Sequence, residues 1–144
     1  MADEGPVAIC AGLLHDVVET NAAWISWAMD TLDYYYEAFM AVPGWVRPHL
    51  KEKPSHYVQR QIHGTFQWDP TGLRNTARTG VEPLLWGSDY PHSEGTYPHS
   101  RRIVQEQFGD FAEAEAAAIL GGTATKLFGF DPAVVATPVS LETT

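Results

Sequence analysis

From Trp24 onward the chain shows its clearest periodicity. Trp24, Ile25, Ala28, Met29, Leu32, Tyr35, Tyr36 and Phe39 recur at the three- and four-residue spacing of one helix face. The pattern predicts an amphipathic helix over 22–39 with this aromatic stripe in the core. Pro43-Gly44 ends it. Before it, LLHDVVET at 13–20 reads as a short strand, with a helix start as the rival reading. After it, 45–53 is mixed and polar, a loop or short helix, and 54–60 suits one or two helical turns with Pro54 near the start.

A second strand is predicted over 64–68, where Phe66 and Trp68 alternate with Thr65 and Gln67. Asp69-Pro70 then reads as an N-cap followed by proline in the first turn, opening a short helix over 71–78 that Gly80 closes. The apolar run PLLW at 83–86 suits a buried parallel strand and leads directly into the turn-forming GSDYPH. Helices come next over 100–108, 111–120 and 123–128, with Gly129 ending the last. The tail after Asp131 has no pattern.

Strands that alternate with helix-length connections imply α/β architecture with about three parallel strands and flanking helices. Chemistry in such folds gathers at the C-terminal ends of the strands. Three segments qualify: Glu19-Thr20-Asn21, Gln67-Trp68-Asp69 and Ser88-Asp89-Tyr90.

Charge narrows the partners. Against 9 Lys and Arg stand 18 Asp and Glu, a net charge of −9. Phosphate backbones and anionic membrane surfaces are therefore unsuited to this chain, so no nucleic acid and no membrane is expected. An aromatic share of 12% argues for a packed core rather than disorder. The single cysteine, Cys10, makes neither an internal disulfide nor a cysteine-based zinc site. The first twelve residues lack the form of a signal peptide, and a cytoplasmic location is expected.

Asp89 is the sharpest chemical candidate. It follows an apolar strand within one turn, where a carboxylate binds a divalent metal or takes a proton from activated water. Capping of a turn is the plainer alternative. His92, three residues on, suits a second ligand or orienting group, or an ordinary surface loop. Glu19 ends the first strand and suits an acid–base or ligand carboxylate, although a solvated strand end is the more common role. His63 sits at a strand start, the face where barrels place stability. His15, His49, His56 and His99 form no motif. There is no HExxH, phosphate-binding glycine loop, GxSxG or Cys-His pair.

The segment LLWGSDYPHSEGTYPHSRRIVQEQF at 84–108 resembles the C-terminal signature of the amidohydrolase-related family, which includes aminocarboxymuconate-semialdehyde decarboxylase-like metal-dependent hydrolases. ILGGTATKLFGFD at 119–131 is similar to that family's closing helix. VVETNAAWISWAMDTLD looks like its sixth strand and following helix, and KPSHYVQRQIHGTFQWDP like the approach to its seventh. The resemblance covers most of 17–131.

It implies the C-terminal part of a TIM (β/α)8 barrel, a domain over 1–131 carrying strands six to eight, followed by a tail at 132–144. A complete barrel takes about 250 residues, and this chain has 144. The resemblance also implies a divalent metal, usually zinc, and maps the family's eighth-strand aspartate, a metal ligand or proton carrier, onto Asp89. Glu19 stands where the decarboxylase members place a histidine. The chain has no His-x-His pair, so the site is incomplete within it. The expected activity is metal-dependent hydrolysis of a small organic substrate. An inactive fragment or oligomerising remnant, and a carboxy-lyase, are the alternatives. An isolated three-strand piece should expose apolar residues such as Phe66 and Leu85 and pair with another copy or with an N-terminal half-barrel.

Overall fold

A computed structural model describes residues 21–40, 50–131 and 133. The strand expected over 13–20, with Glu19 at its end, lies outside the described residues, as do His15 and His49. Helix α1, Trp24–Met40, is followed by α2, Pro54–Gln61, and strand β1, Gly64–Phe66. Two short helices, α3 (Pro70–Arg74) and α4 (Thr76–Thr79), lead to strand β2, Leu84–Trp86. Helix α5, Ser100–Phe108, then α6, Glu113–Ala117, run into a π-type turn, Ala118–Gly122, and the last helix α7, Thr123–Phe128.

The two strands are parallel neighbours, pairing Gly64 with Leu84, Thr65 with Leu85 and Phe66 with Trp86. Side chains alternate across a strand, so Gly64, Phe66 and Leu84 share one face. That face meets the helices. Ile25 and Met29 of α1, Val58 of α2, Phe108 of α5 and Ile119 of the π-type turn join Phe66 and Leu84 in one buried core. Gly64 makes the close approach possible: a Cβ there would lie 2.9 Å from Ile25 Cδ1 and 3.2 Å from the Ala22 methyl.

Two expectations about apolar surface are corrected. Phe66 and Leu85 are buried, Phe66 because the helix layer closes over it and its ring lies against that of Phe108. Burial of α1 is confined to its first half. Ile25 and Met29 are enclosed, but Leu32, Tyr35 and Phe39 are exposed, together with Trp27 and Tyr34. The core of the described residues reaches only as far as Met29. Beyond it Tyr35 stacks on Phe39 and meets Tyr34 edge-on.

Helix ends follow their local chemistry. Asp69 accepts a 2.7 Å hydrogen bond from Gly72 N, the N-cap expected ahead of Pro70. The helix predicted over 71–78 is divided at Asn75, whose side-chain amide donates to Ser26 Oγ on α1. Arg78 reaches Asp30 at 2.6 Å and Asp33 at 3.4 Å, tying α4 to α1 through a solvent-facing ion pair of modest value. The predicted helix over 111–120 is α6 continued into the π-type turn. No helix among the described residues is long and apolar enough to cross a membrane.

Candidate functional site

The C-terminal ends of β1 and β2 lie side by side, because a parallel pair must place both ends together. Phe66 O accepts from Gly87 N at 3.0 Å, carrying the ladder one step past the strands. The chain then turns at Asp89, whose φ of 54° lies in the left-handed region. Aspartate is among the few non-glycine residues that visit this region readily.

The loop from Gly87 to His99 folds back on itself. His92 N donates to Asp89 O at 2.8 Å, Gly95 N to His92 O at 3.0 Å, and Thr96 N to Ser88 O at 2.9 Å. Thr96 is buried, and its hydroxyl lies 2.9 Å from Ser100 Oγ at the start of α5. Gly95 sits against three backbone oxygens. A Cβ there would be 2.8 Å from Ser88 O, 2.9 Å from Asp89 O and 3.0 Å from His92 O. Tyr90 and Tyr97, each preceding a cis proline, meet edge-on with centroids 5.1 Å apart and stay exposed.

This turn brings Asp89 and His92 together, as their spacing suggested. His92 Nδ1 lies 3.1 Å from Asp89 Oδ2. A proton on Nδ1 makes this a charge-assisted hydrogen bond and leaves Nε2 as the free nitrogen. The same carboxylate oxygen accepts from Gln67 Nε2 at 3.0 Å. Asp89 Oδ1 takes part in neither contact. The Asp89 side chain is 47% exposed, so it remains open to a reacting partner while held on one side.

The backbone that carries Gln67 is itself held. Gln107 of α5 donates to Gln67 O at 2.8 Å, and its amide oxygen accepts from Asp69 N at 2.9 Å. Trp86 Nε1 also donates to Gln67 O, at 3.0 Å. Asp69 is buried, and besides capping α3 it accepts a 2.7 Å hydrogen bond from Ala22 N. It thus ties the start of α1 to the end of β1. Gln67 belongs to the strand-end triplet that the parallel pattern singles out. Gln107 has no sequence signature, since a glutamine inside a polar helix face is indistinguishable from its solvated neighbours.

The remaining histidines stand apart from this cluster. His63 lies just before β1, at the opposite end of the sheet, and burial pushes its imidazole below the usual value. His56 and His99 are exposed, His56 on α2 and His99 ahead of α5. Among the described residues, no group of three or more His, Cys, Asp or Glu side chains is placed to hold a metal ion. A catalytic zinc site takes three protein ligands and a water. Asp89 and His92 are therefore too few to form one by themselves.

Half-exposed carboxylate, adjacent imidazole and amide at paired parallel strand ends form an arrangement suited to proton transfer. The structure is similar to that of 5-carboxyvanillate decarboxylase LigW from Sphingomonas paucimobilis, with a TM-score of 0.58 and 26% sequence identity. The match covers 74% of this chain and 31% of that one, so the chain spans under a third of that enzyme's length. No curated protein matches the chain. A family model described as amidohydrolase matches residues 16–130, well over half of the chain and the whole of the cluster around Asp89. The protein belongs to the amidohydrolase family.

Proposed function

We propose that this chain carries the C-terminal part of the active site of a metal-dependent hydrolase acting on a small organic substrate. The observation that supports it most is the Asp89 carboxylate, half-exposed at the end of β2 with both its contacts on one oxygen. In hydrolysis, Asp89 takes a proton from water as the water oxygen attacks the substrate carbonyl. The carbonyl–leaving-group bond then breaks, and the proton passes to the leaving group. His92 orients the carboxylate, and Glu19, which lies outside the described residues, is the further acid–base group proposed for the site.

The family is generally metal-dependent, and zinc is the metal proposed. Asp89 is the described residue suited to ligate it. Further ligands come from residues beyond those described, in a barrel completed within a longer polypeptide, by a second copy or by pairing with an N-terminal half.

The likeness to a decarboxylase favours a second reading on the same residues. A substrate carboxylate leaves as carbon dioxide, and the carbon it vacates takes a proton from the Asp89 carboxylic acid. Product analysis separates the two readings. Purified protein is analysed for divalent metal, then offered small esters, amides and lactones alongside aromatic carboxylic acids. Hydrolysis without carbon dioxide supports the first reading, and carbon dioxide release the second. Absence of stoichiometric metal together with absence of turnover would sink catalysis by this chain alone.

A further inference from the structure

An exposed aspartate ordinarily samples several staggered rotamers, and acid–base chemistry needs one of them. Asp89 is exposed, and its own loop supplies only the His92 contact. The second restraint comes from the neighbouring strand. Gln67 is the first residue beyond β1, one position after Phe66, and its amide meets Asp89 Oδ2 at 3.0 Å. A solvent-facing hydrogen bond of this kind competes with water and is weak when both ends are free. Here the Gln67 backbone that carries the amide is held. Its carbonyl accepts from both Gln107 Nε2 and Trp86 Nε1, and Gln107 closes the pair by accepting from Asp69 N. Gln107 precedes Phe108, whose ring is packed in the core. A continuous line of contacts therefore runs from the core through α5 to the end of β1 and out to the carboxylate.

We infer that Gln67 is a positioning residue of this site, beside His92: its amide anchors Oδ2 of Asp89 so that Oδ1 is presented to the reacting partner. The inference rests on reading Asp89 as the proton-handling carboxylate. The role assigned to Gln67 is exerted through Asp89, the group its amide contacts. Supporting groups of this kind matter because catalytic geometry tolerates only small displacements.

The test uses the full chain, isotopically labelled, with Gln67→Met, which keeps the length of the side chain and removes its donor. Three-bond couplings of Asp89 report its χ1 distribution. The expected result is a single rotamer in the wild type and averaged couplings in Gln67→Met, with an unchanged melting temperature. Where turnover is measured, kcat falls about tenfold and KM stays the same. Gln67→Asn keeps an amide but draws it back by one methylene, and it should average the couplings in the same way if Met perturbs packing. A single Asp89 rotamer in either folded variant overturns the inference. Averaged couplings in Gln67→Met, combined with full turnover in an Asp89 variant, support the positioning role and overturn the catalytic reading instead.

Discussion

Asp69 and Asp89 occupy equivalent places in the sheet. Phe66 pairs with Trp86, and each aspartate comes after its strand's last residue by the same interval, 66 to 69 and 86 to 89. Their surroundings are opposite. Asp69 is buried, and each of its oxygens takes one backbone N–H, from Gly72 and from Ala22. Asp89 is half-exposed, and side chains alone contact it, both on Oδ2. The chain just downstream of each residue decides the outcome. Pro70 starts a helix at once, so the Asp69 carboxylate is consumed as its cap. Asp89 turns into a loop that reaches α5 only at Ser100, and its carboxylate is left available. One residue type at one register thus closes the fold on one strand and presents chemistry on the next.

Exchanging these aspartates experimentally should separate activity from stability. Asp89→Asn is expected to cut turnover by about 10²–10⁴-fold, while its urea unfolding free energy stays within about 0.5 kcal/mol of wild type. Asp69→Ala should do the reverse in kind. It leaves two buried N–H groups unpaired and should cost about 2–4 kcal/mol in urea unfolding. Equal losses of stability in both variants would erase the distinction. Gly95→Ala probes the loop that keeps Asp89 available. The new methyl meets three carbonyl oxygens near 2.9 Å, and a loss of about 1–3 kcal/mol is expected.

The smallest effect lies at the other end of the sheet. Burial lowers the His63 pKa, so the folded state binds a proton there less readily than the unfolded chain. Its contribution is complete above about pH 6.5 and is lost as pH falls through the depressed folded value. Urea midpoints followed from pH 7.5 to 5.5 should drop for the wild type, and His63→Gln should remove part of that slope. An unaltered slope would show that His63 carries none of it.

Local chemistry made much of this legible. Asp69-Pro70, the alternation over 64–68 and the PLLW run each announce an element through adjacent residues; the structure shortens the two strands to Gly64–Phe66 and Leu84–Trp86 and divides the helix at Asn75. The Asp89–His92 contact was legible because a three-residue turn brings the two together. The tie between Gln67 and Asp89 spans 22 positions, and that between Gln107 and Gln67 spans 40. Such contacts depend on how layers meet and leave no local pattern. The aromatic stripe of α1 misled for a related reason. Periodicity states which residues share a face, but how far along the helix that face is covered is set by the length of the neighbouring elements. Helix α2 supplies only Val58 to the core, with Ile62 just beyond its end.

Gln107 has a consequence for association as well as for geometry. Its carboxamide donates to the carbonyl of residue 67 and accepts from the N–H of residue 69. Those are the two groups that a residue on an adjoining parallel strand would engage. The side chain therefore imitates the N–H and C=O of one residue of a neighbour. An incoming segment that tried to lengthen the ladder at that point would have to evict it first. A strand terminus that would otherwise present an unpaired template is closed from within, and β1 is kept short.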